Sequence, residues 1–158
     1  RYRTLVWGMP AERVGQVDQP LGRHRADRKR QAVIPSGRKA VTHYRTLSDL
    51  PPFGCFIECQ LETGRTHQIR VHMAHLGHGV MGDSLYGKPL RFSQMPDKIS
   101  REALSVIRTF PRQALHAASL GFEHPVSGKP LFFETDLPTD MQGLHAHILN
   151  AIAQRAKI

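Results

Sequence analysis

Strand-like segments dominate the first half of the chain. Tyr2 to Trp7 is rich in β-branched and aromatic residues, as strands are. Residues 40–47 and 56–61 are also typical of strands and flank the turn sequence Pro51-Pro52-Phe53-Gly54, which predicts a β-hairpin. Residues 8–40 hold glycine, proline and charged residues with only short apolar pieces, so short strands and loops are expected there.

The apolar period changes to that of a helix after residue 66. Three apolar residues then recur at i, i+4 and i+7 and share one helical face: Ile69, Met73 and Leu76. This spacing predicts a helix over residues 67–76. Thr66 is the expected N-cap, and Gly77 is expected at the C′ position just beyond the helix.

The second half of the chain is expected to combine helices and strands. Residues 98–109 are compatible with a short helix, and residues 115–122 and 131–135 are compatible with strands. A last helix is expected after residue 138, capped by Thr139 or Asp140, with a helical apolar stripe of Met141, Leu144, Ile148 and Ile152. Together these elements predict one α+β domain over residues 1–158, with a mostly antiparallel, mixed sheet flanked by a few helices.

The two cysteines fall on one face of the second hairpin strand. Four residues of strand separate Cys55 from Cys59 by roughly 13 Å, whereas a disulfide needs Cα atoms within about 7 Å. Buried free thiols are therefore predicted, consistent with a reducing cytoplasm. No segment has the roughly 18 uncharged apolar residues of a membrane span, so no membrane partner is expected.

Charge points toward a polyanionic partner. The chain has 22 Lys and Arg against 13 Asp and Glu, a formal net charge of +9, and neutralised phosphates release counterions. Residues 23–30 concentrate this charge, and the candidates for phosphate contact there are Arg23, Arg28, Lys29 and Arg30. The alternative for this segment is a solvated loop.

The most unusual segment is the strand-to-helix corner after Leu61. Free backbone N–H groups at a helix start, beside arginines, make a site for phosphate or carboxylate, and the candidates are Arg65, Thr66, His67 and Gln68. Arg70 flanks the apolar stripe and is expected to be partly buried, which requires a carboxylate partner. A structural salt bridge and a functional site are both compatible with that requirement.

This corner also carries a family resemblance. The sequence L-E-T-G-R-T-H-Q-I-R-V-H-M from Leu61, followed by G-H and G-D-S-L-Y-G, resembles the third motif of the RluA/RluD-type RNA pseudouridine synthases. Residues 2–8 resemble that family's strand with an active-site tyrosine, residues 39–44 its next landmark, and residues 115–117 with 124–128 its last. The most similar type modifies large-subunit ribosomal RNA.

The resemblance implies a cofactor-free isomerisation of uridine to pseudouridine in RNA. In the family an aspartate is the nucleophile and an arginine pairs with it. Arg70 matches that arginine, and Tyr2 matches the tyrosine that stacks on the base and serves proton transfer. The target uridine must leave the RNA stack.

The family's aspartate lies in an H-R-L-D motif upstream of the tyrosine. That motif does not occur in this chain, and neither does the S4-like RNA-binding domain of many relatives. We therefore expect the chain to be the C-terminal portion of a synthase catalytic domain, inactive alone.

Four alternatives compete with this interpretation. Asp83 could replace the nucleophile, but an aspartate after Gly82 is typical of a turn. A zinc site at His72, His75 and His78 is disfavoured, because their i, i+3, i+6 spacing diverges around a helix and no cysteine or paired carboxylate completes a ligand set. A non-catalytic RNA-binding module uses the same basic residues, whereas a purely structural domain leaves the corner unexplained.

Overall fold

The central element is a five-stranded antiparallel sheet. The computed structural model describes residues 1–91, 93, 95 and 99–155. The sheet has the order β2-β5-β6-β1-β7, and its strands are β1 (Tyr2–Trp7), β2 (Val14–Asp18), β5 (Val41–Leu50), β6 (Gly54–Leu61) and β7 (Leu115–Ala117). The predicted hairpin is confirmed as β5–β6, with a register shift between Thr46 and Ser48.

Two short hairpins and three helices complete the described fold. One hairpin joins β3 (Leu21–Arg23) to β4 (Gln31–Val33), and the other joins β8 (Ser119–Glu123) to β9 (Pro130–Glu134). The helices are α1 (Gln68–His75), α2 (Arg101–Arg108) and α3 (Thr139–Arg155). The predicted α+β class with a mostly antiparallel sheet is confirmed, and every pairing between these named strands is antiparallel.

Period-2 alternation along β1 divides the core into two layers. Leu5 and Trp7 pack with residues of α2 and α3, whereas Val6 on the opposite face packs with residues of β6 and α1. The predicted stripe of α3 lies against the first layer, with Met141, Leu144 and Ile148 buried and Ile152 partly buried. Burial of these apolar side chains is the main source of stability for both layers.

The cysteines behave as the strand pattern predicts. Cys55 and Cys59 are free and buried in the second layer. Burial raises the pKa of the Cys55 thiol to about 11, and it raises that of Cys59 to about 12. Both thiols therefore remain protonated at neutral pH.

Some predicted helix boundaries are wrong by a few residues. Helix α1 begins at Gln68, and its N-cap is His67 rather than Thr66, because the chain turns through a left-handed residue there. Ser100 caps α2 by accepting the Ala103 N–H at 3.0 Å, so the helix starts at 101. Position 98, where the prediction began, lies outside the described residues. Gly77 has a φ of +86°, as the predicted C′ position requires.

No helix in the described part of the chain is both long and apolar enough to cross a membrane.

Candidate functional site

A cleft beside the start of α1 brings together residues that are far apart in the sequence. Its volume is about 310 Å³, and it is lined by Tyr2, Leu61, Arg65, His67, Gln68, Ile69, Arg70, Gln113 and Leu115. A larger cavity of about 600 Å³ lies along α2, and its lining includes none of the candidate residues. Chemical composition rather than size therefore identifies the cleft as the candidate site.

Strand pairing places Tyr2 in this cleft. Tyr2 lies opposite Cys59 of β6 on one side and Ala117 of β7 on the other. Its half-buried ring packs against the second core layer. The tyrosine is therefore held by a sheet rather than a loop, and it lines the same cavity as Arg70.

Gln68 fixes the corner of the chain that precedes α1. Its side chain is buried, and its Oε1 accepts hydrogen bonds from Thr63 Oγ1 at 2.8 Å and the Arg65 N–H at 3.0 Å. Its Nε2 donates to Val41 O and to Thr42 Oγ1, both at 2.9 Å. These four bonds fill the amide's two acceptor and two donor positions. We therefore interpret Gln68 as a residue that holds the cleft in shape, and direct contact with RNA stays a prediction.

Arg70 forms a buried bidentate ion pair with Asp83. Its Nε lies 2.6 Å from Oδ2, and one terminal nitrogen lies 2.8 Å from Oδ1. The Asp83 side chain is 0% exposed and that of Arg70 is 11% exposed. Burial alone would raise the pKa of Asp83. The hydrogen bond from Arg70 and two backbone amides outweigh it, and hold that pKa below its usual range.

Asp83 also shapes its own loop. Its Oδ1 accepts the N–H groups of Leu85 at 2.9 Å and Tyr86 at 3.1 Å. The predicted turn role of Asp83 is confirmed, and so is the carboxylate partner that Arg70 requires. The pair uses the Nε hydrogen and one hydrogen of a terminal nitrogen, so three of the five guanidinium hydrogens lie outside it. The salt bridge can thus orient Arg70 while leaving donors for a second acceptor.

His67 lies beside this ion pair in an unusual backbone conformation. Its φ of 58° and ψ of 19° are left-handed. Its Nδ1 lies 2.9 Å from the hydroxyl oxygen of Tyr86. Burial lowers the pKa of His67 and nearby Arg70 lowers it further, against a smaller opposing effect of Asp83. The ring is therefore neutral at neutral pH.

Tyr86 connects the cleft to the basic segment at 23–30. Two guanidinium groups lie over its ring, with the carbon of Arg30 5.4 Å and that of Arg70 5.0 Å from the ring centroid. Its oxygen also accepts the N–H of Gln31 at 2.7 Å. The sequence indicates Tyr86 only as one residue of a motif, because nothing in its local pattern reveals contacts with two distant segments, residues 30–31 and the start of α1.

The other candidates lie at different distances from the cleft. Arg65 lines it and donates from Nε to Lys39 O at 3.1 Å, whereas exposed Thr66 is not among its lining residues. Three of the candidate basic residues in the 23–30 segment are exposed and lie outside the lining: Arg23, Arg28 and Lys29. Phosphate contact by these residues stays a prediction.

The two histidines of α1 differ, because His72 lies in the protein interior whereas His75 is exposed. His72 is fully buried, with Nδ1 2.8 Å from Thr42 Oγ1 and Nε2 3.0 Å from Gln19 O. Burial lowers its pKa, so the neutral ring uses both nitrogens within the fold. Within the described ranges, no group of three or more His, Cys, Asp or Glu residues is placed to hold a metal ion.

Comparison with known proteins gives consistent matches. The family model described as RNA pseudouridylate synthase matches residues 1–75. "Ribosomal large subunit pseudouridine synthase D" of Zymomonas mobilis subsp. mobilis is 47% identical over 144 residues, which cover 90% of this chain and 42% of that protein. The protein of the same name from Vibrio parahaemolyticus is 50% identical over 127 residues, covering 80% of this chain and 38% of that protein.

Solved structures agree with the sequence matches. "Human RNA Pseudouridylate Synthase Domain Containing 4" superposes with a TM-score of 0.68 at 25% identity, covering 94% of this chain and 61% of that one. "Human RNA Pseudouridylate Synthase Domain Containing 1" superposes with a TM-score of 0.65 at 26% identity, covering 85% and 53%. The chain spans about two fifths of the length of the curated relatives.

Proposed function

Because this chain belongs to the RNA pseudouridine synthase family of the RluA/RluD type, we propose that it forms part of an enzyme that isomerises uridine to pseudouridine in large-subunit ribosomal RNA. The observation that carries the proposal is the shared cleft, in which Tyr2 and Arg70 line one cavity although they lie far apart in the sequence. The names of the bacterial relatives support the ribosomal substrate.

In this proposal the two residues have separate roles. The reaction breaks the bond between the sugar and the uracil nitrogen, turns the base, and forms a bond from the sugar to carbon. The base therefore loses a proton from that carbon and gains one at the nitrogen, and no cofactor is consumed. Tyr2 stacks on the base and serves the proton transfer. Arg70 uses guanidinium hydrogens outside the Asp83 pair to hold the nucleophilic aspartate ionised.

The chain alone is expected to be inactive, because it contains no H-R-L-D motif. RNA labelled with tritium at the reactive carbon of uridine releases the label when pseudouridine forms. We expect no release above background with the purified 158-residue chain. Release above background by the purified chain would refute this expectation.

A chimera tests the catalytic assignment directly. The upstream segment of the Zymomonas mobilis relative, including any H-R-L-D motif, is fused ahead of this chain, which is 47% identical to the corresponding part of that protein. We expect tritium release that falls at least a hundredfold in Arg70→Lys, because a point charge replaces a bidentate donor. Arg112→Lys is the matched control, because Arg112 makes the same two bonds to Asp140 at the surface. Equal activity of both variants would refute the role of Arg70.

A non-catalytic RNA-binding module is the second candidate. The exposed basic residues Arg23, Arg28 and Lys29 favour it, and they would also serve a synthase. Either function predicts RNA binding that weakens steeply with salt, because each phosphate contact releases a counterion. A folded chimera that binds RNA but releases no tritium would favour the module, whereas binding insensitive to salt would contradict both. The buried free thiols fit a proposed cytoplasmic location.

A further inference from the structure

One residue of the cleft wall is held in a costly backbone conformation. His67 is the only non-glycine residue with positive φ in the part of the chain that the structure describes. A left-handed conformation is unfavourable for a residue other than glycine, and it persists only where surrounding contacts enforce it. The contacts of the His67 ring therefore indicate what holds this residue in place and which role its ring can have in the cleft.

The contacts of the Tyr86 hydroxyl favour one tautomer of His67. The backbone N–H of Gln31 donates to the Tyr86 oxygen at 2.7 Å, so this oxygen acts there as an acceptor. Its own hydroxyl hydrogen is then available to the His67 Nδ1 at 2.9 Å. A neutral imidazole that accepts at Nδ1 carries its single proton on Nε2.

The surroundings of the two rings hold this arrangement. Tyr86 is buried, and its ring meets that of His67 edge to face, with centroids 5.6 Å apart. The guanidinium groups of Arg30 and Arg70 lie on the Tyr86 ring. A second proton on His67 would add a positive charge near these cations and would place a donor against the tyrosine hydroxyl. Electrostatics and hydrogen bonding thus favour the same neutral ring, in agreement with its lowered pKa.

We propose that Tyr86 is a positioning residue that fixes His67 as a neutral Nε2–H donor for an acceptor oxygen of the nucleotide bound in the cleft. The identity of the ligand as RNA rests on the proposed function, whereas the state of the ring does not. Two oxygens offer the required chemistry, a uracil carbonyl and a backbone phosphate. Tyr86 lies outside the cleft lining. It therefore affects recognition of the nucleotide only through His67.

The ring state is tested without any ligand. Two-bond ¹H–¹⁵N spectra of the 158-residue chain report which imidazole nitrogen is protonated. We expect His67 as the Nε2–H form, and in Tyr86→Phe a mixture of forms with a higher His67 pKa, since the bond that favours the neutral ring is lost. Tyr44→Phe is the matched control, because Tyr44 is a buried tyrosine of β5 whose hydroxyl lies near Gly15. An Nδ1–H form, or spectra unchanged in Tyr86→Phe, would overturn the proposal.

Addition of RNA tests the donor role. With a short single-stranded RNA that contains uridine, we expect the His67 Nε2–H signal to shift and Kd to increase about two- to tenfold in Tyr86→Phe, the effect of one hydrogen bond. His67→Asn, which tolerates the left-handed backbone, should weaken binding similarly. Persistence of the shift with an abasic nucleotide assigns the acceptor to phosphate, and its loss assigns it to the base.

The possible failures are distinguishable. RNA that binds without altering the His67 signal overturns the donor role and leaves the proposed function intact. A chain that binds no RNA overturns the proposed function together with the ligand of His67, while the ligand-free spectra still decide whether Tyr86 sets the ring state.

Discussion

Replacement of Asp83 by asparagine tests how the cleft is held together. Asp83→Asn preserves the size of the side chain, and its oxygen can still accept the two loop amides. The amide nitrogen, however, would face the Nε–H of Arg70, so a donor meets a donor where the ion pair now has a 2.6 Å bond. The variant therefore removes the negative charge and leaves the guanidinium buried without its counterion.

The magnitude follows from burial. Removing one partner of a buried ion pair costs about 3–5 kcal/mol, because the remaining charge is uncompensated. The Arg70 side chain keeps 11% of its surface exposed, so partial hydration places the expected loss near the lower end, about 3 kcal/mol. Asp140 forms the same bidentate pair with Arg112, but their side chains are 40% and 36% exposed. Asp140→Asn should cost about 1 kcal/mol or less, as exposed pairs do.

Urea unfolding measures both variants, with the fluorescence of buried Trp7 as the probe. The folded pKa of Asp83 is lowered, so its stabilisation is fully present above the unfolded pKa of about 3.9 and is lost as pH falls through the folded value. The difference between wild type and Asp83→Asn should therefore be constant above pH about 5 and shrink in more acidic buffer. A loss no larger than that of Asp140→Asn would refute the assignment of the buried pair as a structural anchor.

Three further outcomes are expected. Gly54→Ala should prevent folding, because a Cβ there would lie 1.8 Å from the Val6 carbonyl oxygen, and circular dichroism should show the loss of secondary structure. The control Gly143→Ala should fold normally, because a Cβ at that position on α3 meets open space. Gln68→Leu should lower the free energy of unfolding by about 2–4 kcal/mol in urea titrations, since buried backbone groups lose their partners. Both cysteines should resist alkylation at pH about 8 until urea unfolds the chain, as their raised pKa values suppress the thiolate; rapid labelling of the native protein would contradict their burial.

The sequence predicted best the elements whose pattern is local. Strand β1, the β5–β6 hairpin and helix α3 are each specified by their own apolar period and turn or cap residues. The prediction for helix α1 is correct to within one residue at each end, but the predicted N-cap is wrong: threonine has the higher intrinsic preference for that position, whereas tertiary contacts fix His67 there.

The candidate site was predicted unevenly for the same reason. The need of Arg70 for a carboxylate follows from its place beside an apolar stripe, but the identity of Asp83 depends on how a glycine-rich loop folds back. The place of Tyr86 depends on contacts from the β3–β4 hairpin and the start of α1. Neither arrangement can be predicted from the apolar periodicity of the sequence, because both depend on contacts between distant segments.

The position of β1 in the sheet has a consequence for synthesis of the protein. This strand lies between β6 and β7, so Tyr2 pairs with residues from the middle and the last third of the chain. During translation Tyr2 is made well before its second neighbour, which is complete only after residue 117. Such non-local pairing slows folding, because the entropy cost of closing the long loop is incurred before the strand contacts that offset it can form. One edge of β1 thus stays unpaired until β7 has been made, and the cleft, which Gln113 and Leu115 help to line, is completed only then.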